Sequence, residues 1–377
     1  MRIGILTLPL HTNYGGILQA YALQTVLERM GHEVKVFDKR AIDISVPPVW
    51  KIPLLYTYRY LKKIFVDSNI IINREYRKKK EFPIINKNTK KFIDRYIHTL
   101  RIDSFDELNH DDFDAIIVGS DQIWRPKYFI RLWGGKFSNA FLDFTSSWNV
   151  RRIAYAVSFG SNELEIPIAQ IDLLSKLCDN FYSISVREKD GLELCSRYLS
   201  VHAEQVLDPT LLLNMTDYLS ISRGHRENNT YTQLFCYVLD RNDEINDLIE
   251  IVSKNKGVPP FFFNNNNIQD NIESRVYKTV ERWIQSFVEA EFIITDSYHA
   301  CVFSILFQKP FVVLGNKNRG LSRFSSLLEM FGLSANFLLQ ASDYNPNCKY
   351  EVDPSSISIL NDMREKSISF LHDSLTL

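Results

Sequence analysis

The chain of 377 residues is 45% hydrophobic and carries 44 Lys and Arg against 45 Asp and Glu, a formal net charge of -1. That length and apolar content suffice for two cores of ordinary domain size. Near-zero charge excludes the broad positive field of a nucleic-acid-binding protein, so no nucleic acid is expected and partners have to be sought in local patches.

Five scattered cysteines, Cys178, Cys195, Cys236, Cys301 and Cys348, form no Cys-x-x-Cys pair and have no histidine at a zinc spacing. Reduced thiols and no structural metal are the expectation. Gly4, Pro9 and His11 interrupt any signal-like apolar core, and no run approaches the roughly 18–20 apolar residues of a membrane span. An uncleaved cytoplasmic protein is therefore expected.

In chain order, "RIGILTL" reads as a strand, "GGILQAYALQTVLERM" as a helix stopped by Gly31, and "EVKVFD" as a second strand. This strand, helix, strand unit is the mark of a parallel sheet covered by helices. Residues 51–91 break the pattern with twelve Lys and Arg against Asp67, Glu75 and Glu81, interleaved with tyrosines and phenylalanines. Either this insertion is a solvated helical excursion that packs its aromatics inward, or it touches an anionic lipid surface or a pyrophosphate-linked acceptor.

"FDAIIVGSDQIW", "RRIAYAVSFG", "FYSISVREKDGLEL" and "AEQVLDPTLLL" resume the alternation, and "RGHRENNT" reads as a linker. After it, "YTQLFCYVLD", "PPFFFN", "FIITD" and "PFVVLG" supply strands with helices between them. The expected fold is α/β, with two Rossmann-like domains facing one cleft: residues 1–222 with the basic insertion at about 51–91, residues 230–350, and a C-terminal helix over 351–377. In such sheets ligands bind beyond the carboxyl ends of the strands.

The strand-end loops hold the candidate residues. Asn13 and Tyr14 precede Gly15 and Gly16, where backbone can approach a ligand and helix amides can meet an anion. The pattern is not the full dinucleotide fingerprint. Asp121 and Gln122 suit sugar hydroxyls, with Asp121 as a base on one of them or else a turn cap, and Trp124 offers a ring to stack on a sugar. Arg187, at a strand end, suits phosphate or carboxylate unless it merely pairs with a surface acid. His299 falls in the first turn of a helix introduced by Asp296 and Ser297, either an acid at the cleft or a structural histidine bonded to Asp296. Lys317, Arg319 and Arg323 surround Gly320 in a basic loop that can wrap a small anion or simply be solvated.

The motifs "NYGGILQAYAL", "VGSDQIW", "AYAVSFG", "SVREKD", "VLDPTLLL" and "TDSYHACVFSILFQKPFV", in this order, resemble the polysaccharide pyruvyl transferase family from about residue 3 to 330. The resemblance implies an architecture similar to that of the two-domain, GT-B-like glycosyltransferases. It implies phosphoenolpyruvate as co-substrate, no other cofactor, and ketal formation on two hydroxyls of a sugar in a cell-surface polysaccharide precursor, a lipid-linked one at the inner face of the cell membrane. Carried over by motif, His299 is the general acid and Asp121 the base or acceptor contact. Arg187, Arg319, Arg323, Ser297, Tyr298 and Lys317 face the donor; Asn13, Tyr14, Gly15, Gln122 and Trp124 face the acceptor. Many relatives carry an arginine two positions before the histidine, where this chain has Ser297; Arg319 or Arg323 is expected to stand in. Two other readings stay open at this point: a nucleotide-sugar glycosyltransferase, and a catalytically silent carbohydrate-binding protein.

Overall fold

The computed structural model describes residues 1–40, 48–68, 70–223, 233–263, 271–316 and 320–376. Most of the expected linker at 223–230 lies outside them. Seven strands form the first sheet: β1 (Arg2–Leu6), β2 (Glu33–Lys39), β3 (Thr99–Ile102), β4 (Ala115–Val118), β5 (Arg151–Val157), β6 (Ser183–Val186) and β7 (Glu204–Gln205). Their order is β3-β2-β1-β4-β5-β6-β7, with every pair parallel. Five strands form the second: β8 (Gln233–Tyr237), β9 (Pro260–Phe262), β10 (Ala290–Thr295), β11 (Phe311–Leu314) and β12 (Phe337–Leu338), in the parallel order β12-β11-β10-β8-β9.

Central strands of such sheets are covered on both faces, which is why they read as unbroken apolar runs. All four residues of β4 and of β11 are buried. The two-sheet α/β architecture agrees with the sequence expectation. Two strands went unread: β3 is a half-buried "TLRI" and β12 has two residues, too short to show a period.

The halves share one apolar core. Tyr14, in the helix Tyr14–Arg29 that follows β1, stacks on Trp283 of the helix Val280–Glu289, with ring centroids 5.7 Å apart and planes 9° from parallel. Its hydroxyl donates to the Lys278 carbonyl at 2.8 Å. Phe287 and Phe303 meet the Trp283 ring edge-on. The C-terminal helix Pro354–Leu375, capped by Asp353, returns to the first half. There its Ser367 hydroxyl accepts from the Leu207 amide at 3.0 Å, its Arg364 donates to the Leu211 carbonyl at 2.7 Å, and Phe370 packs on Tyr155.

The basic insertion is helical, over Ile52–Phe65, Arg74–Ile85 and Lys87–Tyr96. It bridges to the second half: Arg275 donates to Glu81 at 2.8 Å, the Tyr277 amide to the Ile85 carbonyl at 2.9 Å, and Asn88 to the Tyr277 carbonyl at 2.8 Å.

Because Trp283 is fully buried at the seam between the halves, Trp283→Ala is expected to cost about 3–5 kcal/mol, measured by urea unfolding.

Candidate active site

In an open parallel sheet, a crevice forms where the strand order reverses. The first sheet reverses between β1 and β4, the second between β8 and β10, and one cavity of about 350 Å³ lies at both reversals. Leu8–Asn13 after β1 and Asp121 and Gln122 after β4 form one side. Tyr237–Leu239 at the end of β8, Asp296–His299 after β10, and Arg323 form the other.

One carboxylate fixes this arrangement. Asp208, buried after β7, accepts through Oδ1 from the Thr210 amide at 3.0 Å and its hydroxyl at 2.6 Å. Through Oδ2 it accepts from the Ser120 hydroxyl and from Arg187 Nη1, each at 2.8 Å. His299 Nε2 lies 3.7 Å from the same oxygen. Burial alone would raise the Asp208 pKa, but His299, Arg187 and Thr210 outweigh it and hold the carboxyl far below the usual range.

Glu188 builds a second layer. Its Oε1 accepts from the Ser158 hydroxyl at 2.5 Å and the Gly160 amide at 3.2 Å, while Oε2 stands 3.5 Å from Arg187 Nε. The Arg187 guanidinium lies 4.1 Å and that of Arg323 5.3 Å from the Tyr298 ring centre. For Arg187, burial would lower the pKa, yet Tyr298, Asp208 and Glu188 together raise it. For Arg323, burial and the neighbouring Arg187 charge win, bringing it down to about 10. Arg187 Nε and Nη2, Arg323 Nε and His299 Nε2 have no hydrogen-bond partner among the described residues. Buried polar atoms are seldom left so, and these cluster on and behind one wall of the cavity.

Local backbone serves the same place. Asp121 adopts φ 64°, a left-handed conformation that Asp tolerates better than most residues. Its Oδ1 accepts from the Gln122 amide at 2.9 Å, while Oδ2 faces Asn13 Nδ2 at 3.4 Å. Ala156 (φ 50°) sits in a register shift of β5, just before Ser158 and Gly160; bulges commonly re-aim chain beside a site. His11, on the cavity wall, is pushed down to about 4 by burial and by Arg131, so its ring is neutral near pH 7.

Of the residues singled out in the sequence, Asn13, Asp121, Gln122, Ser297, Tyr298, His299 and Arg323 line the cavity. Arg187 lies behind its wall, paired to a buried acid rather than to a surface one. Lys317 and Arg319 fall outside the described residues. Four expectations need correction. Trp124 is fully buried, stacked on Phe141, with its indole N–H donating to the Ala140 carbonyl at 2.9 Å, so it is core and offers no ring to a sugar. Tyr14 is likewise core, held by Trp283. Gly15 leaves room for His299 rather than for a ligand: a Cβ there would stand 2.1 Å from the imidazole Cγ. Asp296 is not the expected helix cap, since it accepts from the Leu239 and Asp240 amides at 2.7 and 2.9 Å. Sequence reading missed Asp208 and Glu188, although both stand in quoted motifs; a carboxylate directly after an arginine at a strand end was the available signal for Glu188.

Asp208→Asn is expected to cost about 3–5 kcal/mol at neutral pH, because Arg187 stays buried without its hydrogen-bonded counter-charge and keeps only Glu188 at 3.5 Å. The depressed native pKa stabilises fully above the unfolded-state value of roughly 4 and is lost as pH falls through it toward the native one. Denaturant unfolding between neutral pH and about pH 3 should show the wild-type advantage shrinking at the acid end.

Among solved structures, the chain is similar to MurG of Acinetobacter baumannii, at 9% identity over 99% of each chain with a TM-score of 0.42. It is also similar to the ADP-heptose lps heptosyltransferase II of E. coli, at 10% identity over 97% of this chain and 99% of that one, with a TM-score of 0.39. No curated protein matches the sequence significantly. The polysaccharide pyruvyl transferase family model matches residues 13–318, most of the chain and all the strand-end motifs from Asn13 to Gly315, and the protein belongs to that family.

Proposed function

We propose that the protein transfers the pyruvyl group of phosphoenolpyruvate to two hydroxyls of a sugar in a cell-surface polysaccharide precursor, a lipid-linked one, forming a cyclic ketal. The observation that carries this reading is the cluster of Arg187, Arg323 and His299 nitrogens that make no hydrogen bond among the described residues, behind and on one wall of the cavity. Phosphoenolpyruvate presents a carboxylate and a phosphate close together, and cationic forks suit both. Arg323, with its charge disfavoured by Arg187, gains most from an anion beside it.

The chemistry assigns the roles. His299, held by the Gly15 gap and facing Asp208, gives a proton to the methylene carbon of the enol, leaving an oxocarbenium-like centre at the neighbouring carbon. A sugar hydroxyl adds there as its proton passes to Asp121 across the cavity. Phosphate then departs, the second hydroxyl closes the ring, and the two hydroxyl protons balance the one given to the methylene and the one leaving with phosphate. Asn13 and Gln122, beside Asp121, hold the acceptor; Ser297, Tyr298 and Arg323 hold the donor, with Arg187 behind them and with Lys317 and Arg319 assigned there by sequence alone.

Phosphoenolpyruvate is expected to raise unfolding stability by about 2.7 kcal/mol at a hundredfold excess over its dissociation constant, an effect that Arg323→Ala abolishes. Stabilisation by a nucleotide sugar instead would assign the cavity to a glycosyltransferase. Sugar binding without any donor effect would leave a carbohydrate-binding protein. His299→Ala should keep the donor-induced stabilisation yet slow phosphate release, over a panel of lipid-linked sugar acceptors, by roughly 10²–10⁴-fold. Unchanged release in that variant would remove His299 from the chemistry.

A further inference from the structure

We propose that the outward face of the helix Ile52–Phe65 docks the protein on an anionic lipid bilayer, independently of the reaction in the cavity. At about 100° per residue, Leu54, Tyr58, Leu61 and Phe65 fall on one stripe, and they are 74, 56, 49 and 79% exposed. Trp50, 70% exposed, extends the stripe at its start. The opposite face is held inward by Arg59, whose Nη1 and Nη2 pair with the two Glu75 oxygens at 2.6 and 2.7 Å and whose Nη1 also donates to the Ile72 carbonyl at 2.9 Å. Glu75 is held down at about 2, chiefly by its hydrogen bond to Arg59. The clamp holds the Arg59 side of the helix inward, with the apolar stripe facing out.

Charge selects the occupant. Residues 49–66 contain Lys51, Arg59, Lys62 and Lys63 and no acid, and with Arg59 paired inside, the exposed charges are all lysines. Lys51 and Lys62 flank the stripe on one side by the same helical spacing. A second copy meeting this face about a two-fold axis would set lysine against lysine with no carboxylate of this segment to pair them. An anionic bilayer supplies both an apolar layer for the rings and negative headgroups for the ammonium groups, whose stems can reach outward to them. With 14 residues the helix lies along a surface rather than crossing it, and among the described residues no helix is long and apolar enough to span a membrane. The insertion is bonded to Tyr277, which lines the cavity, so docking would hold the cavity beside the lipid surface.

The test is co-sedimentation of the full chain with vesicles of equal parts phosphatidylcholine and phosphatidylglycerol, and with phosphatidylcholine alone. Binding to the former, weakened by salt, and a blue shift in tryptophan emission that Trp50→Phe removes are expected. The double variant Leu54→Ser, Phe65→Ser should lower partitioning at least about tenfold, and Lys62→Gln about fivefold. Thermal melts matching wild type show these exposed changes leave the fold intact. Failure of the wild type to bind anionic vesicles at low salt, or equal binding by the double variant, overturns the proposal. So does a wild-type dimer in sedimentation equilibrium that the double variant converts to monomer without any lipid binding, which would give the face to a second copy.

Discussion

The candidate site is organised around the buried Asp208 carboxylate. Three chain segments converge on it: Ser120 from the loop after β4, Arg187 from the end of β6, and His299 from the helix that follows β10. A charge out of water costs several kcal/mol unless it is paired and its remaining lone pairs are satisfied. Asp208 therefore tolerates no loose arrangement of these segments. Because His299 comes from the second sheet and the other two from the first, the same requirement ties the two halves at the cavity. Gly15 adds to the constraint, since any side chain there would occupy the space of the imidazole.

Around this centre the protein accepts local cost. Asp121 and Ala156 hold left-handed backbone, each worth roughly 1–3 kcal/mol of strain. Asp121 lies in the loop after β4 that lines the cavity, and Ala156 near the end of the neighbouring β5. The backbone amides there are used: Ser158 donates to the Asp121 carbonyl at 3.2 Å, and Gly160 to Glu188. Strained turns and buried, incompletely bonded cations at one place are what a preorganised polar site requires, because its groups must be aimed before a ligand arrives.

How much of this could be read from the sequence depends on how local each signal is. The long apolar runs that make β1, β4, β10 and β11 are set by burial on both sheet faces and are plain in the chain. The residues immediately after those runs are plain too, which is why Asn13, Asp121 and His299 were found. Failures begin where neighbours in sequence point in different directions. Trp124 is three residues from Asp121, yet the turn sends it into the Phe141 stack. Asp208 precedes a proline and reads as a turn cap; it is one through Oδ1, while the bonds of Oδ2 come from residues 21 and 88 positions away. The helix Ile52–Phe65 shows the limit most sharply. Its Leu54, Tyr58, Leu61, Phe65 stripe has the spacing of a core-facing surface, yet it faces out, and the side turned inward is the one from which Arg59 bonds Glu75 and the Ile72 carbonyl.

Ser297 illustrates the complementary point, that a charge is needed at a position in space rather than at a position in sequence. The serine stands at the N-cap of Tyr298–Leu306 but makes no side-chain cap bond, and it carries no charge to the wall. Arg323 reaches the same wall from another element, the helix Ser322–Met330, and meets the Tyr298 ring beside Arg187. Its pKa of about 10 still leaves it protonated near pH 7. The wall thus keeps two guanidinium groups beside one aromatic ring, one anchored by Asp208 and one with no anchoring acid among the described residues. The anchored group is fixed whatever binds. The other is the one whose electrostatic environment an incoming anion changes most, so a difference in donor affinity between wild type and variants should be sought first at Arg323 rather than at Arg187, whose loss would also unsettle Asp208 and with it the seam between the halves.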